Sequence, residues 1–226
     1  MSIGRGRVVT APTQRLCIAF AVSGPARYAA GLDMARAWVR AFRRLGLPLS
    51  YTHGYSPHPR LSAAAPLPVG FAAEHELLDV YLDSPVDPHE LAARLRGELP
   101  AGLALRSVRA IPLDEPPLPS RVRAADYVVT FLETPPQDLK ARLQQLLGAE
   151  SLPFTRVRQA KAVRFDLRPR ILLAEVEELA RQPRLLLRLV HGPGGAARPE
   201  DVLAALGLAP ETTRITRVGL LLQPPL

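Results

Sequence analysis

Two histidines five residues apart, His53 and His58, stand in the stretch YTHGYSPHPRLS, residues 51–62. Imidazole titrates near neutrality, so such a pair could exchange protons with substrate in a metal-independent RNA cleavage. It could also bind a metal with His75, Glu76 or Asp79 as a third ligand, but no recognised zinc spacing is present. A third use is binding without catalysis, with Tyr55, His58 and Arg60 forming a preorganised rim. Pro57 and Pro59 fix their own φ and push the residue before each toward extended geometry, while Gly54 permits a turn that most residues could not make. The plain alternative is a stiff turn entering a strand, with His58 satisfied by backbone carbonyls.

The second chemical resource is arginine. Lys and Arg number 29 against 21 Asp and Glu, a net charge of +8, and the only lysines are Lys140 and Lys161. A planar guanidinium suits phosphate and base recognition, so the charge points to a nucleic-acid partner. An arginine-rich composition with no functional meaning is the alternative. Arg36, Arg40, Arg43 and Arg44 cover about 100° of one helix, opposite its apolar side, and form a basic stripe. Arg156, Arg158, Lys161, Arg164, Arg168 and Arg170 form a second group. In VRFDLRP, Val163, Phe165 and Leu167 alternate with Arg164, Asp166 and Arg168, so period two sends the apolar set to the core and the charged set outward.

Other chemistries are excluded or unsupported. The single cysteine, Cys17, forbids an internal disulfide and a cysteine-built metal cage, and reads as a small packed hydrophobe. No phosphate-binding Walker loop, dinucleotide fingerprint, nucleophile elbow or zinc-protease helix is present. No cofactor or metal is expected. GPGG (Gly192 to Gly195) reads as a turn that needs backbone freedom. Residues 1–14 lack the apolar stretch of a signal peptide and read as a flexible basic arm, and no apolar run reaches membrane length. A cytoplasmic protein is expected.

The elements that must position these residues recur. Strand RLCIAFAVSG, helix GLDMARAWVRAFRRLGL, short strand RLSAAAPL, strand ELLDVYLD, helix DPHELAARLRGEL and strand GLALRSVRAIPL give the order βαββαβ over residues 15–112. The first helix has Ala35, Trp38, Val39, Phe42 and Leu45 on one side. The second has Asp87 as cap and Glu90 three residues later. LDEPPLPSR opens a proline-rich linker, 113–123. The order then repeats over 124–226: strand DYVVTFLE, a helix capped by Thr134 and Gln137, one bent or broken strand over AVRFDLRPRILLAEVEE, strand PRLLLRLVHG, a helix from Pro199 and strand TRITRVGLLLQ. An offset of about 110 residues lays Pro100 over Pro210. The expected fold is α+β, a tandem ferredoxin-like arrangement of two antiparallel sheets, each with helices on one face.

The stretch from SGPARYAAGLDMARAWVRAFRRLGLPLSYTHGYSPHPRLS to ELLDVYL, with VRFDLRP, RPEDVLAAL and ITRVGLLL further on, resembles the bacterial radical-SAM-linked protein family. The resemblance covers about residues 15 to 223. It carries Gly24, Pro25, Arg27, Tyr28, Leu32, Asp33, Gly54, Tyr55, Pro57, His58, Pro59 and Arg60 over from the family pattern. Val22 stands where the family usually has lysine, Ala30 and Gly31 where it has Ser-His, and His53 where it usually has glutamine. The resemblance implies an accessory role beside a separate cobalamin-binding radical-SAM protein, near RNA chemistry. The leading expectation is therefore a non-enzymatic RNA-binding or substrate-presenting module. Its contacts would come from Arg27, Arg36, Arg40, Arg43, Arg44, Tyr55, His58, Arg60, Arg164, Arg168 and Arg170. The alternatives are an endoribonuclease using His53 and His58, and a protein-docking adaptor that touches no RNA.

Overall fold

The computed structural model describes residues 11–158, 161–179, 182–192 and 195–223. Residues 1–10 of the expected basic arm and residues 193–194 of the GPGG turn lie outside that set. The chain divides into two compact units. One holds residues 11–69 and 76–119, the other residues 70–75 and 120–223.

In the first unit, β1 (Gln14–Val22) is followed by a 3-10 helix (Gly24–Tyr28), α1 (Gly31–Arg44) and β2 (Leu61–Ala63). Then come β3 (Ala72–Leu82), α2 (Pro88–Leu95) and β4 (Leu103–Ile111). β1 pairs antiparallel with β4, Arg15 opposite Ile111 and Val22 opposite Leu103, and β2 pairs antiparallel with β3. β1 is buried along almost its whole length, which its unbroken apolar run requires. α1 buries Trp38, Ala41 and Phe42, the side that its 3.6-residue periodicity defines. The Trp38 ring meets the Phe20 ring edge-on at 4.9 Å and lies 5.5 Å from Phe42. Asp87 caps α2 as its sequence position predicts, accepting from the backbone N–H groups of His89 and Glu90.

The chain passes to the second unit within a single helical turn, α3 (Leu118–Arg121). It contains β5 (Val122–Phe131), α4 (Leu139–Gly148), β6 (Pro153–Arg158), β7 (Lys161–Asp166), β8 (Ile171–Glu177), β9 (Arg184–Val190), α5 (Pro199–Ala205) and β10 (Thr213–Leu222). β5 lies between β9 and β10, antiparallel to both, and β8 pairs with β9. β6 and β7 form a separate two-stranded sheet.

The α+β class stands, but the tandem ferredoxin-like expectation of two antiparallel sheets is wrong. The strands form one eight-stranded mixed sheet in the order β4-β1-β3-β10-β5-β9-β8, with β2 also on β3. The step that overturns the expectation is parallel: Ala72 lies opposite Thr216 and Ala73 opposite Arg217. It arises because β3 starts four residues before the predicted ELLDVYLD strand. Gly70 turns the chain out of the proline-limited stretch at a φ of 93° that favours glycine. Phe71 is then buried, its ring edge-on to Tyr127 at 6.4 Å. The first residues of β3 thus belong to the second unit, and they hydrogen-bond to β10 there.

Two smaller expectations also change. The single bent strand over residues 162–178 is β7, a 3-10 turn (Arg168–Arg170) and β8. α4 takes Asp138 as its N-terminal flank, in place of a cap by Thr134 and Gln137.

Candidate nucleic-acid interface

The basic stripe of α1 and the histidine loop meet in one surface depression of about 560 Å³, lined by Arg36, Arg40, Arg43, His58, Pro59 and the apolar Val39 among others. Arg36, Arg40 and Arg43 are exposed. Arg36 pairs with Asp33 at 3.2 Å, a solvated contact on the helix surface. Arg40 makes no hydrogen bond or ion pair among the described residues, and Arg43 donates only to the Tyr51 hydroxyl, at 3.3 Å. Two guanidinium groups of the stripe therefore face solvent without a carboxylate. Arg44, expected to belong with them, is held instead by the Glu98 carboxylate and backbone carbonyl.

The loop is a small hairpin. Thr52 N–H donates to the His58 carbonyl at 2.8 Å, and His58 N–H donates to the Thr52 hydroxyl at 3.0 Å. Tyr51 bridges to Pro59 on the next rung. Gly54 sits at the tip with φ of 126°. The ties use the backbone of His58, so its imidazole stays exposed at the edge of the depression. Tyr55 is fully exposed at the tip, and His53 is exposed beside it. An exposed aromatic ring can stack on an unpaired base, and arginines without carboxylate partners can hold phosphates. Among the described residues, no three His, Cys, Asp or Glu side chains are placed to hold a metal ion.

The remaining candidates sit elsewhere. The Arg60 guanidinium lies over the Tyr81 ring, 4.5 Å from its centroid. Arg27 lines a separate, mostly apolar pocket and lies over the Tyr28 ring. In the second unit, Arg168 donates to the Leu147 carbonyl, and Arg170 lies over the Phe165 ring at 4.3 Å. Arg156 is drawn inward to the Asp201 carboxylate, leaving Arg164 exposed on β7. Val163 is 54% exposed while Leu167 is wholly buried, so period two holds only toward the end of that segment.

Sequence reasoning missed Arg15 and Asp79, a wholly buried ion pair, and the Tyr51 hydroxyl that ties the loop to α1. The signal for the first was present: Arg15 heads the apolar run RLCIAF, and Asp79 interrupts the apolar run LLDVYL. Cys17 is buried, and burial pushes its thiol above the usual range, which suits a packed hydrophobe. No helix among the described residues is long and apolar enough to cross a membrane.

A mixed α+β sheet carrying a basic helix face beside a proline-stiffened loop is the class that these features define. The model of a bacterial family, described as an uncharacterized protein conserved in bacteria (DUF2344), matches residues 15–199, and the chain belongs to that family. No curated protein matches the sequence.

Proposed function

We propose that this protein is an accessory RNA-binding module, without catalysis of its own, that presents RNA to a separate cobalamin-binding radical-SAM protein. The observation that carries the RNA part is the depression on α1: Arg40 and Arg43 without carboxylate partners, beside Arg36, His58 and the loop that ends in exposed Tyr55. Charge-assisted contacts from arginine to phosphate supply affinity that is independent of sequence, and stacking on Tyr55 adds contact with an unpaired base. The radical-SAM partner rests on the family resemblance of the SGPARYAAGLDMAR and HGYSPHPRLS segments.

Ultraviolet crosslinking of the purified protein to a mixed RNA pool, with mapping of the modified peptides, tests this reading. RNA linked to residues 31–44 and to the Tyr51–Arg60 loop is the expected result. The absence of linked RNA, or links confined to other segments, overturns it. Shortened RNA in the recovered material would instead make His53 and His58 an endoribonuclease pair.

A further inference from the structure

A second pocket, of about 290 Å³, lies between β1, α1, the segment after β2 and β3 in the first unit. Its walls are largely apolar, with Phe20 and Trp38 as the aromatic side chains. Two features set it apart from a packing defect. Trp38 is 0% exposed, yet its indole N–H has no acceptor, and the Nε–H of Arg27 is likewise buried without one. Buried indole and guanidinium donors ordinarily find partners. The same pocket is lined by Glu76, only 2% exposed, a carboxylate among apolar walls. A carboxylate has about four acceptor sites, so it can take further donors beyond its own protein contacts.

An occupant that satisfies these groups needs flat apolar faces, adjacent N–H donors for a carboxylate and acceptors for the indole and Arg27 N–H groups. A pocket near 300 Å³ is at the small end of ligand sites and suits one heterocycle. Ala35 and Leu61 line both this pocket and the arginine depression, so the two sites adjoin. A nucleotide with its phosphates on the arginines would have this pocket within reach of its base.

We infer that this pocket receives a guanine base, its N1–H and exocyclic amine donating to Glu76 and one of its ring acceptors taking the Trp38 N–H. Unpaired bases are read in this way, by aromatic walls and hydrogen bonds to their edges. The inference rests on the RNA-binding reading above. The base comes either from RNA held on the arginine face or from a free nucleoside, and the chemistry is the same for both.

Trp38 is the chain's single tryptophan, so its fluorescence reports this pocket alone. The full chain is titrated with guanosine, adenosine, cytidine and uridine, and with short single-stranded RNAs that contain one guanine or none. A saturable change in Trp38 emission with guanine, at least tenfold weaker for 1-methylguanosine, is expected. Inosine, which lacks the exocyclic amine, is expected to bind more weakly than guanosine. Glu76→Gln, which replaces an acceptor by a donor, is expected to abolish the preference while leaving guanine-free RNA bound. Response to the oligonucleotide but not to guanosine names RNA as the source, and equal affinity for both names the free nucleoside. Equal responses to all four bases, or full binding of 1-methylguanosine by the native protein, overturn the inference whether or not the variant folds. RNA that binds while Trp38 stays silent removes the pocket alone. Absence of RNA binding with a persisting guanosine response removes the RNA reading alone.

Discussion

Arg15 and Asp79 are joined by two parallel hydrogen bonds, Nε to Oδ1 at 3.0 Å and Nη2 to Oδ2 at 2.9 Å, with both side chains wholly shielded from solvent. The pair gathers the linker as well. Arg15 donates to the carbonyls of Glu115 and Pro116, and Asp79 accepts from the backbone N–H of Leu118. β1, β3 and the chain entering α3 thus converge on one charge pair, with the Tyr81 ring 5.3 Å from the guanidinium.

Breaking that pair leaves a buried charge without its partner. Asp79→Ala or Arg15→Ala should lower stability by about 3–5 kcal/mol, the range for orphaned buried charges. The double variant Arg15→Ala, Asp79→Ala should cost much less than the sum of the single changes. Urea unfolding of the single and double variants measures the difference, and additive losses would show that the two residues act independently.

His58→Ala separates binding from architecture in the loop. The hairpin ties run through the His58 backbone and the Thr52 hydroxyl, so alanine keeps them. Melting temperature should stay near native while RNA affinity falls. Thr52→Val removes the acceptor of the His58 N–H and should loosen the loop, weakening binding with the imidazole still present. Early melting of His58→Ala with unimpaired binding would make the loop purely structural.

The β6–β7 hairpin has its own acid sensitivity. The backbone N–H of Leu152 donates to Asp166 at 2.8 Å and that of Arg168 at 3.0 Å, and the Leu152 bond foremost holds this carboxyl below its usual range. A carboxyl with a depressed folded pKa contributes stability that is complete above its unfolded value and is lost as pH falls through its folded value. Asp166→Asn should therefore lower the melting temperature at neutral pH and flatten the loss of stability on acidification. Thermal melts between neutrality and about pH 3 check this, and an unchanged acid limb would contradict it.

Local signals in the sequence were faithful in α1 and α2 and failed at the start of α4, where Asp138 replaces the expected cap. Trp38 and Phe42 on one helical side and Asp87 at the start of α2 follow from spacing and capping alone. The arginine stripe was legible for the same reason, yet Arg44 was drawn away by Glu98, a residue 54 positions distant whose approach no periodicity encodes. Arg60, Arg168 and Arg170 likewise go to aromatic rings or carbonyls in the folded chain. The sheet itself was misread because a strand's partner is a tertiary choice. Phe71, Ala72 and Ala73 follow a proline-rich stretch and look like a loop until Tyr127 and β10 supply the surface they pack on.

The central claim is that the α1 face binds RNA through arginine and phosphate. Its most direct test is the salt dependence of binding to a single-stranded RNA, for the native protein and for the triple variant Arg36→Glu, Arg40→Glu, Arg43→Glu. These side chains are exposed, so the variant should fold and melt normally. Native affinity should fall with a log–log slope of about −2 or steeper, near −0.7 for each phosphate neutralised, and the variant should show no measurable binding. Native affinity that is indifferent to salt, or a folded variant that binds as tightly as the native protein, would contradict the claim.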